Sequence, residues 1–356
     1  MKPTAKLHEA GQSLWLDNIT REILDSRQLQ RYIDEYSVSG LTSNPSIFDK
    51  AIASGAYDGE IRRKAADDPE ELFFALAIED LQRAADLFEP IHRRTGGVDG
   101  WVSLEVSPLL ANDASATVQA AADLHARAGR ENLFIKIPGT RAGLTAIEES
   151  IFAGVPVNVT LLFSREQYLA AADAYMRGIE RRIAAGLGPD VDSIASVFMS
   201  RWDAAVLQRV PERLRGRLAI AIGLKTYQAY RELMDSERWQ RLANEGARTQ
   251  RLLWASTSAK DPETPDTFYV QSLSAPNTVN TMPESTLVAF HDHGVVGAPM
   301  PTDGGDADAT LAEFEAAGVD VAALGAKLQS DGTRSFTDSW KDLLARIDEQ
   351  VAALRA

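Results

Sequence analysis

Lys136 lies within Asn132-Leu133-Phe134-Ile135-Lys136-Ile137-Pro138-Gly139-Thr140, a short apolar run closed by Pro-Gly, which is the pattern of a buried parallel strand ending in a turn. Side chains alternate along a strand, so Phe134 and Lys136 face one way and Leu133, Ile135 and Ile137 the other. An ammonium in a low-dielectric interior is opposed strongly unless it is paired or its pKa falls. A depressed pKa is what an amine nucleophile requires. Alone, the stretch reads more simply as a structural lysine snorkelling from a strand end. Polar residues at matching places in other apolar runs reverse that preference: Asp17, Asn44, Glu105, Asn158, Thr160 and Ser196 all stand near strand ends, on inner faces. Any one of them could be a cap or turn former, and for Asn44 before Pro45 that reading is equally good. A lysine among two carboxylates and several neutral hydrogen-bonding groups suits amine catalysis on a carbonyl. The lysine forms a Schiff base, one acid moves protons for its formation, and the other handles a substrate hydroxyl.

The elements that must position these groups alternate along the chain. Residues 13–17 read as a first strand, with Asp17 on the face of Trp15. A helical stripe of Leu24, Leu29, Tyr32, Ile33 and Tyr36 leads to a second strand at 38–41, followed by Thr42 and Asn44 on one face. Asp68-Pro69-Glu70-Glu71 opens a long helix to about Arg94, with a capping aspartate, a first-turn proline and acids at the positive end of the dipole. Further strands read at 101–106, 133–137, 155–162, 193–199 and 251–256, with a short eighth at 278–281. Asp113 and the capping box Ser164-Arg165-Glu166-Gln167 start intervening helices, Gly129 ends the helix that Asp113 starts, and Gly154 ends the next. Eight such units in roughly 250 residues predict a (β/α)8 TIM barrel, with additional helices after the second strand and at the C-terminus. A doubly wound open sheet usually has a glycine-rich turn after its first strand, and Asp17-Asn18-Ile19 is nothing like one. Residues 1–303 are expected to form the catalytic barrel. Residues 304–356 are expected to be a helical extension packed on its outside, with Trp340, Leu343, Leu344, Ile347 and Val351 as the apolar stripe.

The 356 residues include no cysteine, which excludes disulfides, thiolate nucleophiles and cysteine-ligated metal sites. A net charge of -14 argues against nucleic acid and anionic membrane as partners. No stretch reaches the apolar length of a membrane span, residues 1–9 lack a signal-peptide apolar region, and the expected compartment is the cytoplasm. A phosphorylated ligand fits if a pocket gathers basic groups locally. His291-Asp292-His293 before Gly294 reads as a solvated helix end rather than a metal cluster. Asp303-Gly304-Gly305-Asp306-Ala307-Asp308 lacks the spacing and terminal glutamate of an EF-hand loop, so no metal is expected.

Three motifs together resemble the transaldolases, the class I aldolase barrels of the pentose phosphate pathway: Leu41-Thr42-Ser43-Asn44-Pro45-Ser46, Asn132 through Pro138, and Asn158-Val159-Thr160-Leu161-Leu162-Phe163-Ser164. The resemblance runs from about residue 14 to 282, and the C-terminal extension resembles the longer bacterial form. It implies that Lys136 is the Schiff-base lysine, Asp17 the acid that shuttles the sugar C4 hydroxyl proton, and Glu105 with Thr160 the pair holding the catalytic water. It also implies that Thr42, Asn44, Asn158 and Ser196 orient the dihydroxyacetone unit and that Arg201 and Ser256 bind phosphate. Shorter members carry an arginine two residues beyond that serine. Here Ser258 stands there and Lys260 follows, a point charge in place of a fork. Phe198 shares the face of Ser196; transaldolases have phenylalanine at this position, whereas related aldolases that release free dihydroxyacetone have tyrosine. The implied activity is cofactor-free transfer of a dihydroxyacetone unit from sedoheptulose 7-phosphate or fructose 6-phosphate to an aldose phosphate, glyceraldehyde 3-phosphate or erythrose 4-phosphate. Its partners are small-molecule sugar phosphates, with a homodimer left open. The rivals are a family aldolase that releases dihydroxyacetone and a non-catalytic sugar-phosphate-binding barrel.

Overall fold

The computed structural model of the chain describes residues 1–64 and 68–355; residue 356, the end of the expected extension, lies outside them. Its strands are β1 Gln12–Asp17, β2 Val38–Thr42, β3 Val102–Glu105, β4 Leu133–Pro138, β5 Val157–Leu162, β6 Ser193–Phe198, β7 Arg251–Ala255 and β8 Thr278–Met282. They form one parallel sheet in the order β2-β1-β8-β7-β6-β5-β4-β3. Among the described residues, β2 meets the β3 side through one bridge, Gly40 to Trp101, so the sheet is a nearly closed (β/α)8 TIM barrel, as the alternation predicts. Glycine is needed at this joint. A Cβ on Gly40 would lie 2.6 Å from the Trp15 ring and 2.8 Å from the Trp101 carbonyl oxygen.

The period of two along each strand divides the barrel interior into layers. Phe134 stacks on Trp101 with centroids 3.9 Å apart and lies 6.4 Å from Trp15, which fills the N-terminal layer with aromatic rings. Two residues further on, Lys136 falls in the layer above, among the polar strand ends. The predicted caps hold this arrangement from outside: Asp113 accepts from Ala116 N, Ser164 and Gln167 close a capping box, and Gly129 ends its helix at φ +55°.

Extra helices, Pro45–Ala53, Asp58–Lys64 and Pro69–Arg94, follow β2. The last helix, Val321–Arg355, does not stay wholly on the outside of the barrel: it reaches the C-terminal strand ends, where Gln329 donates to the Gly139 and Leu161 carbonyls and Phe336 lines the mouth. Its second half behaves as predicted: Trp340, Leu343 and Ile347 are buried, with the Trp340 ring 4.9 Å from Phe73 and 5.6 Å from Phe74. Its first half approaches the strand ends closely because Gly325 sits against Trp202, and Gly332 against Leu161 and Phe163. Among the described residues no helix is long and apolar enough to cross a membrane.

Candidate active site

The C-terminal strand ends surround a cavity of about 180 Å³. Asp17, Thr42, Asn44, Lys136, Thr160, Ser196, Phe198, Arg201, Ser256, Ser258 and Lys260 all line it, so these residues converge from five strands and from the segments that follow β2, β6 and β7. Glu105 and Asn158 lie behind this wall. In the strand register Glu105 stands beside Lys136, and Lys136 beside Asn158, which places the lysine between them in one layer.

Lys136 is buried but not stranded. Its Nζ is 3.2 Å from Glu105 Oε2 and donates to the Ser43 carbonyl at 2.8 Å. Burial pushes the Glu105 carboxyl above its ordinary range; Lys136 pulls it back, and Asp17 adds to the rise. Asp17 is likewise raised by burial, with Lys136 the first opposing influence, followed by the Thr42 hydroxyl, which donates to Asp17 Oδ1 at 2.8 Å. Two acids therefore share one ammonium, an arrangement suited to passing protons between them and a ligand.

Neutral groups complete the layer. Ser196 Oγ donates to Asn158 Oδ1 at 2.7 Å, and Asn158 Nδ2 donates to Ser103 Oγ at 3.1 Å. Thr42 Oγ1 also lies 2.7 Å from Thr281 Oγ1. Asn44 accepts from Ile47 N at 3.3 Å as the cap of Pro45–Ala53 while also lining the cavity, so capping does not withdraw it from the cavity wall. Thr160 Oγ1 is buried and, among the described residues, has no protein hydrogen-bond partner. That leaves a hydroxyl free for a ligand or water.

The wall opposite the acids is apolar, then basic. Phe198 is buried beside Phe163 and Phe336, at centroid distances of 5.4 and 6.4 Å. The half-buried Arg201 guanidinium lies 5.4 Å from the Phe198 ring centre, and burial lowers its pKa. Lys260, exposed at the mouth, donates to Ser258 Oγ at 3.0 Å; its pKa is lowered by desolvation and then by the charge of Arg201. Neither cation has a carboxylate within ion-pair distance among the described residues, in a chain of net charge -14. Such a pair favours an anion. Ser256, at φ +53°, turns the chain here, and its Oγ lies 3.0 Å from Ser200 Oγ.

Ser43, Ser103, Thr281 and Phe336 join the site without having been singled out from sequence. Ser103 had a signal, since it sits two residues before Glu105 on the same face. Phe336 had none, coming from a helix expected elsewhere. His291 stacks on Tyr36 at 3.8 Å while His293 turns to Asp266 at 3.0 Å, as suits a solvated helix end. A larger cavity of about 640 Å³ opens at the opposite end of the barrel, beneath Trp15, Trp101 and Phe134, and shares no lining residue with the Lys136 site.

Residues 14–347 match the model of a family described as Transaldolase/Fructose-6-phosphate aldolase. A protein named Transaldolase from Parafrankia sp. (strain EAN1pec) is 45% identical over 364 residues, covering 99% of each chain. One of the same name from Arthrobacter sp. (strain FB24) is 44% identical over 99% of this chain and 98% of its own. Another, from Neisseria gonorrhoeae, is 43% identical over 95% and 97%.

Proposed function

The chain belongs to the transaldolase/fructose-6-phosphate aldolase family, and on that premise we propose that it is a transaldolase whose chemistry runs through an imine on Lys136. The observation that carries this reading is the buried Lys136 Nζ, held 3.2 Å from Glu105 with Asp17 under the same charge. Glu105 takes a proton from the ammonium, the amine adds to the ketose C2 carbonyl, and Glu105 returns the proton as water leaves. Thr160, with its free hydroxyl, steadies that water. Asp17 then removes the proton of the C4 hydroxyl and the C3–C4 bond breaks. Its electrons enter the protonated imine to give an enamine, and an aldose phosphate departs. The enamine attacks the incoming aldehyde, Asp17 protonates the new alkoxide, and water releases the product from Lys136. Thr42, Asn44, Asn158 and Ser196 hydrogen-bond the dihydroxyacetone unit, and Arg201, Ser256 and Lys260 bind the phosphate. Sugar phosphates are the partners in this reading, the cytoplasm the compartment, and a homodimer an assembly open to it. In this reading residues 1–303 make up the catalytic barrel domain and 304–356 a helical extension packed on it.

Borohydride reduction in the presence of fructose 6-phosphate tests the reading directly. A stable adduct on Lys136, together with transfer to erythrose 4-phosphate, is the expected result; no adduct under saturating ketose would sink it.

Phe198 favours transfer over release of free dihydroxyacetone. The enamine must outlast departure of the first aldehyde, and an apolar ring flanked by Phe163 and Phe336 offers water no hydrogen-bonding route for protonating it. Phe198→Tyr is expected to lower transfer and to raise acceptor-free release of dihydroxyacetone from fructose 6-phosphate. Loss of transfer with unchanged release would reduce Phe198 to packing.

The two cations at the mouth, Arg201 and Lys260, predict a different kinetic signature. Arg201→Gln or Lys260→Gln should raise KM about 10-fold or more for a phosphorylated ketose while leaving an unphosphorylated ketose nearly unaffected. Equal effects on both substrates would remove these residues from the phosphate site.

A further inference from the structure

The C-terminal helix reaches the strand ends where the sheet is irregular. From Val159 to Leu162 the chain advances three residues while its β6 partners advance two, Ala195 to Val197, so β5 carries one extra residue. Leu161 absorbs it at φ +58°, left-handed backbone that is strained for a leucine. The residue before it is Thr160, with its unpartnered hydroxyl.

One side chain of the C-terminal helix meets this bulge. Gln329 Nε2 donates to the Leu161 carbonyl at 3.0 Å and to the Gly139 carbonyl, just past β4, at 3.0 Å. An amide nitrogen has two hydrogens, and both are used. Gly139 N in turn donates to the Thr160 carbonyl at 2.8 Å, so the Thr160 backbone is held from the β4 side as well. One turn along the helix, Gly332 seats the Leu161 side chain: a Cβ there would lie 3.2 Å from Leu161 Cδ2. The amide therefore ties the end of the Lys136 strand to the strained end of the Thr160 strand.

We infer that Gln329 is a positioning residue for the reaction, holding the β5 bulge in the form that aims Thr160 at the Glu105–Lys136 pair. The inference rests on the reading of Thr160 as the group that steadies the water leaving and re-entering at the imine. Gln329 acts through Thr160 and does not touch the substrate. Its loss therefore slows the water-dependent steps while substrate binding is kept, because misplacing a group by about 1 Å costs ~10²-fold in rate.

Gln329→Met keeps the length of the side chain and removes both donors. The full-length parent, Gln329→Met, Thr160→Val and the double variant are compared by kcat, KM for fructose 6-phosphate, and the quenched-flow rate of borohydride-trappable imine formation. Each single variant is expected to lower kcat and imine formation about 10- to 100-fold with KM within about 3-fold, and the double variant to be no slower than Thr160→Val alone. A parental rate for Gln329→Met, or effects that multiply in the double variant, overturns the inference and leaves Thr160 in place. A parental rate for Thr160→Val overturns it by removing its premise, while the Lys136 adduct reports on the transaldolase reading separately. If Gln329→Met does not fold, Gln329→Leu, which also lacks both donors, takes its place in the single and double variants and the same outcomes decide.

Discussion

Lys136→Ala abolishes dihydroxyacetone transfer, lowering it by about 10⁴-fold or more, because truncation removes the nucleophile and with it the electron sink for C3–C4 cleavage. No borohydride adduct forms at any ketose concentration. Transfer within tenfold of the parent would remove Lys136 from the mechanism. The same substitution leaves a signature in stability. Lys136 is the first influence opposing the burial that raises Asp17 and Glu105, so without it both carboxyls rise further. A carboxyl whose pKa is raised in the folded state keeps a proton that the unfolded chain has already lost. Stability therefore falls as pH climbs from the ordinary carboxylate range through the folded value. In Lys136→Ala that fall is deeper and extends to higher pH. Thermal melts from pH 5 to pH 8 should show the variant losing Tm relative to the parent as pH rises. Parallel curves would mean that the lysine is not what keeps these acids charged.

Asp17→Asn gives the second large effect, a loss of about 10²- to 10⁴-fold in kcat, the range for removing a general base. The amide oxygen can still accept from Thr42, which now donates to Asp17 Oδ1 at 2.8 Å, so the layer keeps its shape while losing the group that takes the C4 hydroxyl proton. The imine still forms, and the borohydride adduct carries the mass of the whole ketose rather than of its three-carbon fragment. An Asp17→Asn enzyme that cleaves at a tenth or more of the parental rate would move this role elsewhere.

The polar strand ends were legible because alternation along a strand is enforced by backbone geometry. Once Phe134, Trp15 and Val106 are recognised as strand residues, the faces of Lys136, Asp17 and Glu105 follow without knowledge of the fold. The helix starts at Asp68, Asp113 and Ser164 were legible for a related reason, since each cap is satisfied within three residues. What escaped depends on partners far along the chain. The sequence around Lys136 suggested a costly lone amine, yet its neutralisation by Glu105 and the Ser43 carbonyl crosses 31 and 93 residues. The β5 bulge has no local mark, because Leu161 adopts a left-handed angle that its own type disfavours and that Gln329, 168 residues later, helps to hold. The last helix misled for a similar reason: its Trp340 stripe is visible by period, whereas the small residues that let it reach the strand ends acquire meaning only beside Trp202 and Leu161.

The thin joint between β2 and β3 bears on how this enzyme holds a substrate. Asp17, Thr42 and Asn44 stand on one lip of the joint and Glu105 and Lys136 on the other, with Lys136 Nζ to the Ser43 carbonyl and Ser43 Oγ to the Ser103 carbonyl, both 2.8 Å, crossing it. In the proposed mechanism a ketose bonded to Lys136 and hydrogen-bonded to Asp17 spans the same gap, adding a covalent tie to the hydrogen bonds that cross it. The free ammonium spends one of its three hydrogens across the joint on the Ser43 carbonyl, whereas the protonated imine keeps a single hydrogen. In the proposed mechanism the substrate itself becomes a tie across the gap during turnover, and product release hands that duty back to the lysine.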